Sequence, residues 1–140
     1  MVTSRRLELV RRLEGYPGND TVTIGEMLDL AGSSADPFSR YHFDPGHFTA
    51  SGLVLSPEGT AVLLVHHRRL DRWLQPGGHV DPGDAFVVDA AVREVVEETA
   101  VNLLDVSEPP LLDLDIHHIP AGKGEPPHNH FDVRFGFVAA

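Results

Sequence analysis

The feature that most limits how this chain can fold is a helix predicted over residues 84–100, whose last turns carry three carboxylates on one face. Apolar residues recur along the helix at helical spacing, which commits that side to a core, and Asp84 is in position to cap its amino end. Glu94, Glu97 and Glu98 are three or four positions apart, so their like charges repel each other. The helix dipole also disfavours anions at the carboxyl end, where stability alone would favour Lys or Arg.

Two interpretations account for the acidic cluster. The simpler one is a solvated acidic face, with Arg93 in an ordinary surface ion pair. The other is a site for a hard divalent cation, Mg²⁺ or Mn²⁺, because both prefer oxygen ligands. Gly77, Gly78 and Gly83 lie just upstream of the helix. Glycines let the backbone approach a ligand closely, which favours the cation site.

The patterns on either side of this helix predict a mixed domain of the α/β or α+β class. Helices are predicted over 4–14 and 21–31, and strands over 48–56, 60–67, 111–119 and 130–139. The run 60–67 is almost wholly apolar, which predicts a strand buried on both faces. Residues 1–46 are expected to form an N-terminal helical extension, either docked on the domain or acting as a lid, and residues 47–140 the main domain.

Composition narrows the possible functions. The chain has 140 residues, 21 acidic and 11 basic side chains, a net charge of −10, nine His and no Cys. Its length fits one domain, and the lack of Cys excludes disulfides, thiolate zinc sites and a cysteine nucleophile. The acidic balance argues against a nucleic-acid partner. Without a long apolar run or a secretory signal, we expect a cytoplasmic protein with no membrane partner.

Residues 78–101 resemble the Nudix box. Gly78 matches its opening glycine, Asp84 stands where Glu is usual, and Arg93–Glu98 reads REVVEE in the family's register. The flanking WLQPGGHV strengthens the match. Two departures are one extra residue between the opening acid and the REVVEE run, and Ala100 in place of the usual glycine. On these motifs the chain is identified as a member of the Nudix hydrolase family.

The resemblance implies a Nudix-like α/β/α sandwich with a mixed sheet. It also implies hydrolysis of a diphosphate linkage in a small nucleotide-like substrate, with Mg²⁺ or Mn²⁺ as cofactor. By position, Glu94, Glu97 and Glu98 are then catalytic metal ligands, and Glu94 positions or deprotonates the attacking water. The Gly77 carbonyl completes the metal shell, and Arg93 orients the carboxylates.

The expected substrate contacts lie next to the box. Gly78 and His79 are nearest the expected diphosphate. Arg69 and Arg72 belong to a basic cluster that can meet substrate phosphates, although a solvated loop explains that cluster equally well. Trp73 is a candidate for stacking on a flat group, but burial as an anchor beneath the glycine turn is the expected role of a lone Trp.

An additional acid or base is often drawn from outside the box in this family, and here the candidates are Asp132 and His130. The surrounding histidine-rich segment also suggests a zinc site, but its short spacing and the lack of Cys favour exposed polar residues. Two further pairs of adjacent histidines occur at 66–67 and 117–118. Neighbouring residues of a strand point to opposite faces, so at most one histidine of each pair can point into a common site.

The resemblance covers about residues 48–140, and the family's last strand and C-terminal helix appear shortened. An uncovered apolar sheet face would associate, so we expect cover from the N-terminal helices, from a homodimer partner, or from a longer chain. An alternative function is that of a non-hydrolytic nucleotide-binding or regulatory module. It is suggested by the extra residue between Asp84 and Arg93, by Ala100 and by the shortened C-terminal elements.

Overall fold

The structure is a computed structural model that describes residues 2–140. In chain order its elements are α1 (Val2–Glu14), α2 (Thr21–Ala31), β1 (Gly46–Leu55), β2 (Val65–His67), β3 (Arg72–Leu74), β4 (Gly77–His79), α3 (Val87–Thr99), β5 (Leu111–Ile119) and β6 (His128–Val138). Across this described range, no helix is both long enough and apolar enough to span a bilayer.

Four strands form one mixed sheet in the order β4-β1-β6-β5, and β2 and β3 form a separate antiparallel pair. Strands β1 and β6 run parallel from the Gly46–Asn129 pair to the Leu55–Val138 pair. The other neighbours in the main sheet are antiparallel. The mixed α+β class is therefore confirmed. Elements α1, α2, β1, β5 and β6 lie within two residues of their predicted ends.

The main sheet has one apolar face and one polar face, because side chains alternate along each strand. On β1, Phe48, Ala50 and Val54 are completely buried on the apolar face. Thr49 and Ser51 lie on the opposite face and are almost as buried. One face of the sheet therefore builds the hydrophobic core, and the other presents hydroxyl groups to whatever lies against it.

Helices cover the apolar face. Gly52 of β1 leaves room for α3, since a Cβ there would lie 2.8 Å from a methyl carbon of Val95. Phe135 of β6 is paired with Gly52 and therefore faces the same side. The guanidinium carbon of Arg12, on α1, lies over the Phe135 ring at 5.1 Å from its centroid. The expected α/β/α sandwich has a sheet between two helical layers. The described residues form the sheet and the helical layer on its apolar face. The homodimer and the division of the chain at residue 46 stay predictions.

Helix α3 starts later than predicted, at Val87. The Asp89 carboxylate accepts a hydrogen bond from the Phe86 backbone N–H at 2.9 Å and so closes the first turn. The prediction that Asp84 caps the helix is wrong. Asp84 lies in the preceding turn, where its carboxylate accepts from the Arg93 side chain instead.

The prediction of a strand over 60–67 buried on both faces is also wrong. Only Val65–His67 forms a strand, and its partner Arg72–Leu74 is exposed at every position. Because this pair does not join the main sheet, no second layer covers its apolar side chains. Trp73 is 66% exposed and is not the buried anchor that we expected.

Ala100 ends α3 in the left-handed conformation, with φ 57° and ψ 17°, and its N–H donates to the Val96 carbonyl at 2.9 Å. A β-carbon strains this conformation, and glycine has none. We expect Ala100→Gly to raise the free energy of unfolding by about 0.5–1 kcal/mol. The relief of strain is larger than this net value, because glycine also gives the unfolded chain more conformational entropy, which opposes folding. Urea denaturation measures the change.

Ala90→Gly, in the buried interior of the same helix, is the matched control. It should lower the free energy of unfolding by about 1 kcal/mol or more, because helical backbone penalises glycine there. A loss of stability in both variants would contradict the strain at Ala100.

Candidate active site

Arg93, in the middle of α3, joins the helix to the segments that precede it. Its Nε and Nη2 donate to the two Asp84 carboxylate oxygens at 3.1 and 2.9 Å. Nη2 also donates to the His79 carbonyl of β4 at 2.9 Å. Nη1 donates to Glu94 at 3.0 Å and to Glu97 at 3.3 Å. One guanidinium therefore fixes the position of α3 against β4 and holds two of the three predicted metal ligands.

The pKa values follow from this pairing. Burial alone would raise the pKa of Asp84, but the hydrogen bonds from Arg93 and from the Asp81 N–H, together with the charge of Arg93, hold it below its ordinary value. The same bond to Asp84 raises the pKa of Arg93. Both groups are therefore ionised at neutral pH. Asp84, expected only as a helix cap, is instead the buried anchor of the arginine that orients the site.

Two of the predicted metal ligands meet at the glycine backbone of β4. The Glu94 carboxylate lies against Gly78, where a Cβ would come within 2.8 Å of its carboxyl carbon. Glu98 accepts a hydrogen bond from the Gly77 N–H, and its side chain lies within hydrogen-bonding distance of Glu94. Burial, and then the charge of Glu94, raise the pKa of Glu98. Two crowded carboxylates are a donor set suited to a hard cation.

Glu97 stands apart from this pair. Its side chain is 59% exposed, and it is held by the bond to Arg93 rather than by the glycines. The structure therefore brings Glu94 and Glu98 together and places Glu97 at the rim. Three predicted ligands share one helix face, as their spacing indicates, but only Glu94 is largely sheltered, since Glu97 and Glu98 are both exposed.

A cavity of about 480 Å³ lies on the polar face of the sheet. Gly77 and His79 pair with Ser51 and Thr49, so they face the cavity, while the intervening Gly78 faces the carboxylates. The floor also includes His117, His130, Asp132 and Arg134, and one wall is made by Leu64, Trp73, Leu74 and Gln75. Gly77 and Gly78 line the cavity and also contact Glu98 and Glu94, although none of the three carboxylates is itself a lining residue.

Asp132 is brought to the cavity, but both of its oxygens are engaged. It accepts from Thr49 Oγ1 and Ser51 Oγ, each at 2.9 Å, and from Arg134 Nε at 3.0 Å. Asp132 therefore organises the polar face. Although burial alone would lower the pKa of Arg134, the bond to Asp132 and the nearby acids raise it, so this cation at the cavity stays charged.

Histidines pack together at one end of the same face. The His47 ring centroid lies 4.9 Å from that of His130 and 5.2 Å from those of His79 and His128. Burial lowers the pKa of His47 to about 4 and that of His130 to about 3. Both rings are therefore neutral at pH 7. Of the strand pairs 66–67 and 117–118, only His117 lines the cavity among the described residues.

Two predicted substrate residues are not brought to the cavity. Arg69 and Arg72 are both exposed, and neither contributes to the cavity lining. Arg69 lies in the turn between β2 and β3, and Arg72 is the first residue of β3, where both side chains reach solvent. Sequence reasoning missed Arg134 and His47. Both could have been found from the alternation of side chains along a strand. Arg134 lies on the same strand face as Asp132, and His47 lies on the same face as Thr49 and Ser51.

The family model of the NUDIX domain matches residues 46–137, so the chain belongs to the Nudix family. It is 42% identical over 50 residues to a Bacillus subtilis (strain 168) protein provisionally named as an 8-oxo-dGTP diphosphatase. That match covers 36% of this chain and only 33% of the relative.

Solved structures of similar fold include the C. elegans Ap4A hydrolase, at 23% identity and a TM-score of 0.43, with 65% of this chain and 67% of that one covered. The E. coli dihydroneopterin triphosphate pyrophosphohydrolase matches at 17% identity and a TM-score of 0.40, with coverage of 64% and 66%.

The role of Arg93 can be tested by stability. Arg93→Lys keeps the charge but cannot make the two-pronged contact to Asp84 together with the bond to the His79 carbonyl. Because Asp84 then stays buried with fewer donors, we expect the free energy of unfolding to fall by about 2–3 kcal/mol in urea denaturation.

The matched control is Arg11→Lys. Arg11 pairs with Glu8 and Glu108 on the surface, where such pairs contribute little. We expect no measurable change for this variant. Equal losses in both variants would contradict the anchoring role of the Arg93–Asp84 pair.

Proposed function

We propose that this chain hydrolyses the diphosphate linkage of a small nucleotide-like substrate with the help of a divalent cation, Mg²⁺ or Mn²⁺. The observation that carries the proposal is the Glu94–Glu98 pair, which contacts the backbone of Gly77 and Gly78, two residues that also line the cavity. Membership of the Nudix family supports it.

The residues present fit such a cation. Glu94, Glu97 and Glu98 would hold it, with the Gly77 carbonyl as a further oxygen ligand, and hard divalent ions prefer this donor set. The pKa of Glu98 is raised by partial burial and then by the charge of Glu94, and a positive charge between the carboxylates would relieve that repulsion. When bound, the cation neutralises phosphoryl oxygens and acidifies water.

The chain's own groups supply the positioning. The Glu94 carboxylate is restrained by Arg93 Nη1 on one side and by the close approach of Gly78 on the other. This restraint keeps it in one orientation, from which it accepts the proton of the attacking water. Arg93 is itself fixed by Asp84, so the geometry does not depend on an exposed side chain.

The cavity is proposed to take the part of the substrate that does not react. The exposed Trp73 ring lines its wall and is free to stack on a flat group such as a base. The Arg134 guanidinium on its floor is paired with Asp113, Asp115 and Asp132, so the floor offers hydrogen-bonding groups rather than a net positive charge. The substrate named for the Bacillus relative, 8-oxo-dGTP, belongs to the nucleotide class that such a cavity would take.

The function is tested by supplying nucleoside triphosphates, dinucleotides and nucleotide sugars with Mg²⁺ or Mn²⁺ and measuring phosphate or monophosphate release. We expect turnover of at least one class. Glu98→Gln should lower kcat about 100-fold or more, because it removes a charge from the proposed cation site. Glu26→Gln, an exposed acid on α2, is the matched control and should leave kcat unchanged.

Absence of turnover across the panel would overturn the proposal, and so would full activity of Glu98→Gln. Nucleotide binding without turnover would identify the alternative, a non-hydrolytic binding or regulatory module. Since Ala100 adopts the conformation that the family's glycine would adopt, that departure leaves the carboxylates in place.

A second prediction concerns Gly78. In Gly78→Ala the new Cβ would meet the Glu94 carboxylate at 2.8 Å, and this end of a flexible side chain can move aside. We therefore expect a folded protein whose kcat falls about 10- to 100-fold, because the carboxylate is displaced by an ångström or so.

Gly122→Ala is the control for this change, since a Cβ at Gly122 would meet nothing within 4 Å. Its kcat and its thermal midpoint should both match those of the unmodified protein. Full activity of Gly78→Ala would show that the position of Glu94 does not limit the reaction.

A further inference from the structure

The histidines of the polar face form a second donor set, on the opposite side of β4 from the carboxylates. We propose that His47, His79 and His130 bind one divalent transition-metal ion of the zinc type. The three residues lie on β1, β4 and β6, and one ring nitrogen of each lies within 4.8 Å of the others. His47 and His130 are directly paired across β1 and β6.

His47 gives the proposal its strongest geometric support. Its side chain is only 1% exposed, and its Nδ1 donates to the His42 carbonyl at 3.1 Å. This bond keeps the proton on Nδ1 and leaves the lone pair on Nε2. Within residues 2–140, the buried Nε2 has no hydrogen-bond partner. A backbone carbonyl behind a histidine with a free opposite nitrogen is the arrangement that orients a metal ligand.

The charge state of the three rings favours a cation over an anion. His47 is buried, and the rings of His79 and His130 pack against it at 5.2 and 4.9 Å between centroids, a crowding of imidazoles that disfavours charge on any of them. Neutral imidazoles contribute no charge to bind a phosphate. They do offer lone pairs, which is the form in which histidine binds metal ions.

The geometry requires only small movements. Zinc–nitrogen bonds of about 2.0–2.1 Å in a tetrahedral site place neighbouring nitrogens about 3.3 Å apart. The separations here, 4.8 Å at most, close to that value by rotations of the rings. His79 and His130 also line the cavity. The fourth position of the ion would therefore face the cavity, as in zinc sites with three protein ligands and one exchangeable position.

The chemistry of this set differs from that of the carboxylates. Asp132, the nearest acid on the floor, is occupied by Thr49, Ser51 and Arg134. The ligand atoms that lie within 4.8 Å of one another belong to imidazoles alone, and imidazoles favour zinc, cobalt or nickel over magnesium. The proposed site is thus separate from the Mg²⁺ or Mn²⁺ site, and it does not require the chain to be a hydrolase.

The experiment measures metal retention in the full chain with any polyhistidine tag removed. The protein is stripped with a chelator, supplied with Zn²⁺ in excess Mg²⁺, dialysed against metal-free buffer and analysed by mass spectrometry for zinc. We expect a single Zn²⁺ per chain. His79→Ala and His130→Ala should each lower the affinity at least about tenfold, with folding checked by circular dichroism.

Two controls separate this site from other possibilities. His67→Ala removes an exposed histidine on β2 and should retain the ion. Glu98→Gln should also retain it, because Glu98 belongs to the carboxylate set. Loss of zinc in Glu98→Gln would overturn the proposal by placing the ion at the carboxylates. Failure of the unmodified protein to retain zinc would overturn it directly, as would full retention by both histidine variants.

Cobalt provides a second measurement on the unmodified protein, should a histidine variant not fold. Four-coordinate Co²⁺ with imidazole ligands absorbs strongly in the visible range, whereas six-coordinate aqueous Co²⁺ absorbs weakly. We expect the strong bands on titration, and their removal by one equivalent of Zn²⁺ but not by excess Mg²⁺. A weak aqueous spectrum, or displacement by Mg²⁺, would count against three-imidazole binding.

Discussion

The parallel pairing of β1 with β6 is the constraint on which the rest of the molecule depends. It begins where Gly46 approaches the Asn129 backbone so closely that a Cβ would overlap it. From there the register puts Phe48 beside Phe131 in the core and Thr49 beside Asp132 on the opposite face. Since a slip of one residue would exchange the two faces, the same pairing sets both the hydrophobic core and the cavity floor.

The acidic excess of the chain has a local structural basis. Arg93 contacts four acids, Asp81, Asp84, Glu94 and Glu97, at 3.4 Å or less. One cation therefore balances only part of the charge around it. The Glu94–Glu98 pair lies beside these acids, and the pKa of Glu98 is raised first by partial burial and then by the charge of Glu94. The carboxylates around Arg93 are therefore only partly neutralised by groups of the chain itself.

The parts of the site that could be predicted are those encoded locally. Glu94, Glu97 and Glu98 share a helix face because of their spacing, and the glycines precede that helix in every interpretation. The histidine set was not predictable, since His47, His79 and His130 come from three strands and only the register between them brings the rings together. The burial expected for Trp73 failed for a related reason. An apolar pattern does not show whether a second layer exists to cover it.

The separation of the β2–β3 pair from the main sheet has an evolutionary consequence. This pair supplies the Trp73 wall of the cavity, yet it shares no hydrogen-bonded ladder with β1, β4, β5 or β6. Residues 61–63 are bonded to the end of β1, but insertions or substitutions between residues 64 and 74 can reshape the wall without shifting the register that aligns Gly78 with Glu94. Selection can act on ligand preference and on the chemistry of the sheet edge as nearly independent traits.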